Sequence, residues 1–246
     1  MVQWKVMPLC KAQLTDINQS DILADGLYRK CNTYKGGGGY DKFPEIYQRR
    51  YGAIPNLNNQ FVVQLMGCPL RCPYCYVTPE GIHGQNYKSI STDELINAYI
   101  DSGCSVFHLM GGAPALYIEN WVDIIDNLPD NAVFHSDLLL VEKEYNPAVI
   151  SELASRERTL YAVSIKGGDA LEFVRNTGIA LDTDLFWLNF DLIVARRLPV
   201  YLTFTGMSDD SINNFKSLVQ KRYGDEIIKD SFGIDLVHYN ALDYTS

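Results

Sequence analysis

The sequence has no run of about 18 consecutive apolar residues, the minimum for a membrane-spanning helix, so the expectation is no membrane partner. Its first ten residues, MVQWKVMPLC, lack the basic-then-apolar layout of a secretory signal. Positive charge is in deficit: 21 Lys and Arg stand against 30 Asp and Glu, for a net charge of −9. That argues against broad affinity for nucleic acid or anionic membranes, although a local basic pocket would escape the average. Low-complexity sequence is missing except for one glycine run, Gly36 to Gly39. Cysteine is scarce, with six in 246 residues. A disulfide-stapled secreted scaffold would be shorter and carry cysteine more evenly, so a reducing cytoplasm is the expected compartment.

Three of those six cysteines fall in one decapeptide, GCPLRCPYCY, as Cys68, Cys72 and Cys75 with spacing C-x3-C-x2-C. Pro69 and Pro73 break any regular element and put the thiols on a loop, which weakens a reading as buried core thiols. A disulfide would leave one thiol over and conflicts with the compartment. Zinc usually takes four ligands, often as two separated pairs, and Cys10, Cys31 and Cys104 are single and scattered. A redox C-x-x-C at Cys72 and Cys75 leaves Cys68 unexplained. An iron–sulfur cube fits better. It takes about one thiolate per iron, so three thiolates leave one iron open to a small molecule.

With Tyr74 just before the last cysteine, the motif resembles the signature of the radical S-adenosylmethionine (SAM) enzymes. The resemblance extends to compact activating-enzyme-type members, such as pyruvate formate-lyase activating enzyme. It implies a 4Fe–4S cluster on Cys68, Cys72 and Cys75, with SAM chelating the open iron. It also implies reductive cleavage of SAM and an electron donor such as flavodoxin or ferredoxin. The 5′-deoxyadenosyl radical that results takes a hydrogen atom from a substrate, here a partner protein or peptide. Two alternatives stay open: a member acting on a small molecule such as a pterin or nucleoside, and a zinc or iron–sulfur module without turnover.

The rest of the chain alternates strand-like and helical patterns. QFVVQLM, SVFHLMGG, NAVFHSDLLL, TLYAVSIKGG, PVYLTFTG and FGIDLVHYN read as six strands. Between them, STDELINAYIDSG carries a capping box at Ser91 and Glu94, and YIENWVDIIDNL is amphipathic from Tyr117. NPAVISELASR has Pro147 in its first turn, and two further helices cover Asp182 to Leu198 and Ser208 to Gly224. The fold class expected is α/β. The resemblance makes it a partial (β/α)6 radical SAM barrel at residues 58–246, with an N-terminal extension at 1–57. Parallel sheets of this kind place their chemistry at the C-terminal strand ends.

The resemblance assigns further residues at those ends. Gly111, Gly112, Ala113 and Pro114 stand where the family has Gly-Gly-Glu-Pro, whose backbone approaches the methionine amino group of SAM. Ala113 replaces the acid, so only backbone contact is expected. Ser136 and Asp137 occupy the place of a polar pair that contacts ribose or carboxylate. Ser164 and Lys166 resemble a Ser-x-Lys element in which the lysine neutralises the SAM carboxylate. Val237 and His238 stand where the last strand lies against adenine. His108 and His135, inside strands, read as barrel lining or satisfied core residues. In the extension, the glycine run is followed by an aromatic and basic stretch, Tyr40 to Tyr51. Residues 35–52 are expected to act as a linker, a substrate lid or a fixed seal on the barrel.

Overall fold

The computed structural model describes residues 2–8, 19–32, 43–52, 57, 59–75, 77, 79–227 and 235–239. The chain opens with β1 (Gln3–Val6), β2 (Gln19–Leu23), β3 (Tyr28–Asn32) and helix α1 (Phe43–Tyr51). Then come β4 (Asn59–Gln64), a single turn α2 (Pro79–Ile82), β5 (Lys88–Ser91) and α3 (Thr92–Ser102). Strands and helices alternate from there: β6 (Val106–Met110), α4 (Trp121–Asn127), β7 (Val133–Leu138), α5 (Pro147–Ala154) and β8 (Thr159–Ile165). Two helices, α6 (Ala170–Thr177) and α7 (Thr183–Ala195), precede β9 (Val200–Thr205). The chain continues through α8 (Asp209–Tyr223) to β10 (Asp235–Tyr239).

Eight strands form one sheet in the order β10-β9-β8-β7-β6-β4-β3-β2. The pairs from β4 through β10 are all parallel, as the alternation with helices requires. The sheet stays open, with β2 and β10 at its edges, so this is the partial barrel that the six repeats imply.

Period-two alternation sorts each strand onto two faces. Phe61, Phe107, Phe134, Tyr161 and Phe204 point outward into a large apolar layer under the helices, where Trp121, Phe190 and Phe215 meet them. Burial of such aromatics supplies the main drive for closing this layer. Helix starts follow their caps. Ser91 and Glu94 form the expected capping box, and Asn146 accepts from Ala148 N–H just before Pro147. The helical pattern beginning at Tyr117 divides: Pro114–Asn120 is a 3-10 segment, and the α-helix starts only at Trp121. No helix among the described residues is long and apolar enough to cross a membrane.

The N-terminal extension is tied into this frame. β3 pairs antiparallel with β4, β2 with β3, and β1 with β5. On α1, Phe43, Ile46 and Tyr47 pack with Leu57 against Val106, Val133, Leu160 and Tyr201, which lie near the starts of their strands. Helix α1 therefore fills the foot of the barrel, the end away from the cysteine loop. The other part of the lid or linker expectation, residues 35–42, lies outside the described residues.

Candidate functional site

The cysteine loop leaves β4 through Gly67 and holds Cys68, Cys72 and Cys75 as half-buried thiols. Backbone contacts shape it. Cys75 N–H donates to Cys72 O at 3.1 Å, and Arg71 N–H donates to Thr177 O at 2.6 Å at the end of α6. The Arg71 guanidinium donates to the carbonyls of Cys68, Pro69 and Leu70 at 3.2, 3.3 and 2.8 Å, gathering the loop's oxygens onto one cation. Tyr117 Oη donates to Met66 O at 3.1 Å and fixes the loop's entry. No sequence pattern marked Arg71 or Tyr117, because both act on main-chain carbonyls.

The glycine turn after β6 packs directly on that entry. Gly112 has φ +57°, and a Cβ there would lie 2.4 Å from Leu65 O and 2.5 Å from Gly67 O. Ala113 N–H donates to Gly67 O at 2.7 Å, and Ala113 is fully buried. Gly111, Gly112 and Ala113 thus hold the cysteine loop by backbone alone, and the methyl of Ala113 packs with Leu70, Leu139 and Phe173.

Lys166, just past β8, reaches the same place. Its Nζ sits 5.6 Å from the centre of the Tyr74 ring and donates to Thr205 Oγ1 at 3.3 Å. Burial lowers its pKa, while Cys72, Asp137, Cys68 and Cys75 oppose that shift. Lys166 therefore feels all three thiols and the one carboxylate. Burial pushes Cys68 up to about 12, while Cys72, raised by burial, is drawn back by Lys166 and by the Tyr74 hydroxyl. Asp137 is pushed up to about 7, chiefly by burial, with Lys166 pulling the other way. A quarter of its side chain still reaches solvent.

Not every expected residue joins this group. Ser136 lies on the opposite face of β7 from Asp137, fully buried, and its hydroxyl donates to Leu109 O at 3.1 Å. Adjacent strand residues face opposite ways, so the two cannot both serve the barrel interior. Ser164 stands opposite Thr203 in the β8–β9 ladder, on the same face as Ala162. Val237 pairs with Thr203, and His238 with Phe204. Below Asp137, His108 and His135 line the interior as expected, fully buried with ring centres 4.1 Å apart. Burial lowers both, His135 to about 3, so both imidazoles are neutral.

The mouth of this open parallel barrel thus brings together three thiols, a glycine turn and a lysine. The sequence model of the Radical SAM superfamily matches residues 63–221, more than half the chain. The chain belongs to the radical SAM superfamily. Its cofactors are accordingly a 4Fe–4S cluster and SAM, and it is an enzyme. Among solved structures, the chain is similar to Streptococcus suis SuiB bound to S-adenosylmethionine: 13% identity, 75% of this chain, 39% of that one, TM-score 0.51. Similarity extends to anSMEcpe with bound AdoMet (16% identity, 72% and 48% coverage, TM-score 0.48) and to methylornithine synthase PylB (12%, 76% and 56%, TM-score 0.45). The chain thus spans about half or less of the length of SuiB and anSMEcpe. At these identities the likeness to SuiB concerns the fold alone. No curated protein matches the chain.

The residues present suit these cofactors. Three thiols without disulfide partners share one loop, a cation faces them, and the Gly112 contact keeps side chains out of the turn beside them.

Proposed function

We propose that this enzyme uses its cluster and SAM to abstract hydrogen from a partner protein or peptide. When bound, the cluster and SAM supply a one-electron cleavage that yields a 5′-deoxyadenosyl radical. Everything else falls to the chain. Cys68, Cys72 and Cys75 hold the cluster. The backbone of Gly111, Gly112 and Ala113 would take the amino end of SAM, and Lys166 would neutralise its carboxylate as a half-buried point charge. Ser164 offers a polar contact on the interior side, and the backbone at Val237 and His238 would border the adenine. An external donor such as flavodoxin or ferredoxin brings the electron.

One observation carries the SAM reading: Lys166 Nζ stands 5.6 Å from the ring of Tyr74 in the cysteine loop, where its charge acts on all three thiols and on Asp137. The macromolecular substrate rests on the rim. A cleft of about 570 Å³ lies beside the mouth, lined by Asp169, Leu171, Glu172, Arg175, Gly206, Ser208 and Ser211. Leu171 is 84% exposed there. An open, mixed polar and apolar groove suits an extended peptide better than an enclosed pterin or nucleoside pocket would.

The test is anaerobic reconstitution with iron and sulfide, followed by assay of 5′-deoxyadenosine from SAM under a chemical reductant. Alanine at Cys68, Cys72 or Cys75 should abolish both the brown chromophore and the product, and alanine at Cys31 or Cys104 should spare both. Product formation should rise with the retained fraction of a filtered cell extract. Stimulation by the small-molecule filtrate alone would favour the pterin or nucleoside reading, and a metal-loaded protein without product would leave a binding module.

A further inference from the structure

Beneath the mouth, outside the cysteine loop, three side chains converge from neighbouring strands. His108 is on β6, and His135 and Asp137 are on β7. One potential ligand atom from each lies within 4.8 Å of the other two, and His108 Nε2 is 3.9 Å from Asp137 Oδ2. Each imidazole is held by its other nitrogen. His108 Nδ1 lies 2.7 Å from Gln60 Oε1, and His135 Nε2 lies 2.9 Å from Tyr201 Oη. With the Gln60 oxygen accepting from Nδ1–H, the His108 lone pair lies on Nε2, the atom facing Asp137. A second hydrogen bond that fixes the tautomer and aims the ring is how metal-binding histidines are generally oriented.

We propose that His108, His135 and Asp137 bind one zinc-class divalent ion inside the barrel. The donor set decides the metal class. Two imidazoles and a carboxylate suit zinc, whereas magnesium and calcium call for an all-oxygen shell. Tetrahedral zinc at about 2.0–2.1 Å from each ligand sets ligand atoms roughly 3.4 Å apart, so His108 Nε2 and Asp137 Oδ2 need to close by about 0.5 Å and the widest pair by up to about 1.4 Å. Three protein ligands leave one position for water or a substrate oxygen. The site's charge is a constraint as well. One carboxylate leaves a net positive ion, and Arg29 near His108 and Lys166 near Asp137 oppose it, so the two imidazole nitrogens must supply most of the affinity.

Three thiols on one loop would themselves take up zinc or cobalt in the absence of the cluster, so the experiment has two arms. In the reconstituted enzyme, elemental analysis should give one zinc per chain besides the cluster iron. In full-length protein carrying Cys68→Ala, Cys72→Ala and Cys75→Ala together, with its fold checked by circular dichroism, one zinc should survive gel filtration. Cobalt(II) in its place should show ligand-field absorption without thiolate charge transfer. Adding His108→Gln or Asp137→Asn should remove that metal, and Gln60→Ala should weaken it roughly tenfold to a hundredfold. Zinc at a hundredfold excess over Kd should raise the melting temperature by roughly 5–10 °C in the thiol-free protein and not in the His108 variant. Should the His108 variant fail to fold, Asp137→Asn gives the same comparison, since its side chain reaches solvent. Metal at background level in the thiol-free protein, or undiminished in the His108 and Asp137 variants, overturns the proposal.

Discussion

Replacing Gly112 by alanine tests whether the glycine turn, rather than the cysteines alone, shapes the cluster loop. The added Cβ would sit 2.4 Å from Leu65 O and 2.5 Å from Gly67 O, both backbone atoms that cannot swing aside. Relief requires the turn and the loop entry to separate, which stretches the 2.7 Å bond from Ala113 N–H to Gly67 O. Three costs combine: left-handed backbone strain of about 1–2 kcal/mol, overpacking of about 1–3, and a weakened hydrogen bond of about 0.5–1.5. Together they reach roughly 3–6 kcal/mol, a large part of the 5–15 kcal/mol that stabilises an ordinary domain. For a chain of this size the melting temperature should fall on the order of 10–20 °C. Gly103, the left-handed cap of α3, is the control: its φ is +63° and a Cβ there meets nothing within 4 Å. Gly103→Ala should show only the strain, a fall of roughly 2–8 °C. Thermal melting and iron content after reconstitution are measured on both. If Gly112→Ala melts with Gly103→Ala and loads iron fully, the turn does not hold the loop and the reasoning fails.

Lys166→Met should weaken SAM binding by roughly tenfold to a hundredfold, the value of one charge-assisted bond, without bleaching the cluster; unchanged affinity by titration would place the lysine outside the SAM site. Asp137→Asn concerns pH. The folded carboxyl is raised to about 7 from 3.8, so its contribution to stability is fully present below the unfolded value and is lost as pH rises through about 7. In cluster-free protein the asparagine variant should therefore gain on the parent between pH 5 and 8, by roughly 1–3 kcal/mol after allowing for the exposed quarter of the side chain. Parallel denaturation curves at both pH values would refute the burial argument. Deleting residues 1–57 removes β2, β3 and the fully buried Phe43 and Tyr47, and should leave an aggregating or iron-free protein. A soluble, cluster-loaded truncation would mean that the barrel foot closes without α1.

The parts of this molecule that could be read from sequence are those whose cause is local. C-x3-C-x2-C between prolines is local, as is Ser91 three residues before Glu94. The six parallel strands announced themselves by apolar runs ending in glycine or polar residues. What escaped depends on distance or on backbone. His108 and His135 were seen as lining, but their partners Gln60 and Tyr201 lie 48 and 66 residues away, so the polar interior was invisible as a unit. Arg71 grips carbonyls, which every residue has. Helix α6 was missed although Asp169 caps its start and left-handed Gly178 ends it, because its eight residues are too few for a convincing period. Ser136 and Asp137 are neighbours in sequence, but alternation along β7 sends them to opposite faces, which a dipeptide does not reveal.

The two ends of the barrel differ for a reason that bears on substrate access. At the foot, Phe43, Tyr47 and Leu57 fill the space among Val106, Val133 and Leu160, and the Tyr51 hydroxyl donates to Thr159 O at 2.7 Å. Apolar contacts of this kind need no ligand to complete them. At the mouth the groups are instead thiols, a half-buried lysine and a carboxyl pushed up to about 7, each costly to bury without a partner. Among the described residues the foot is filled, which leaves the mouth and the open side between β2 and β10 for access. A substrate larger than the interior has to present its reacting carbon at the rim, beside the cleft between α6 and α8. Helix α6 is fixed there by Arg71 N–H on Thr177 O, the same residue whose side chain gathers the cysteine loop. The rim that would receive the substrate and the loop that carries the thiols are therefore mechanically one piece.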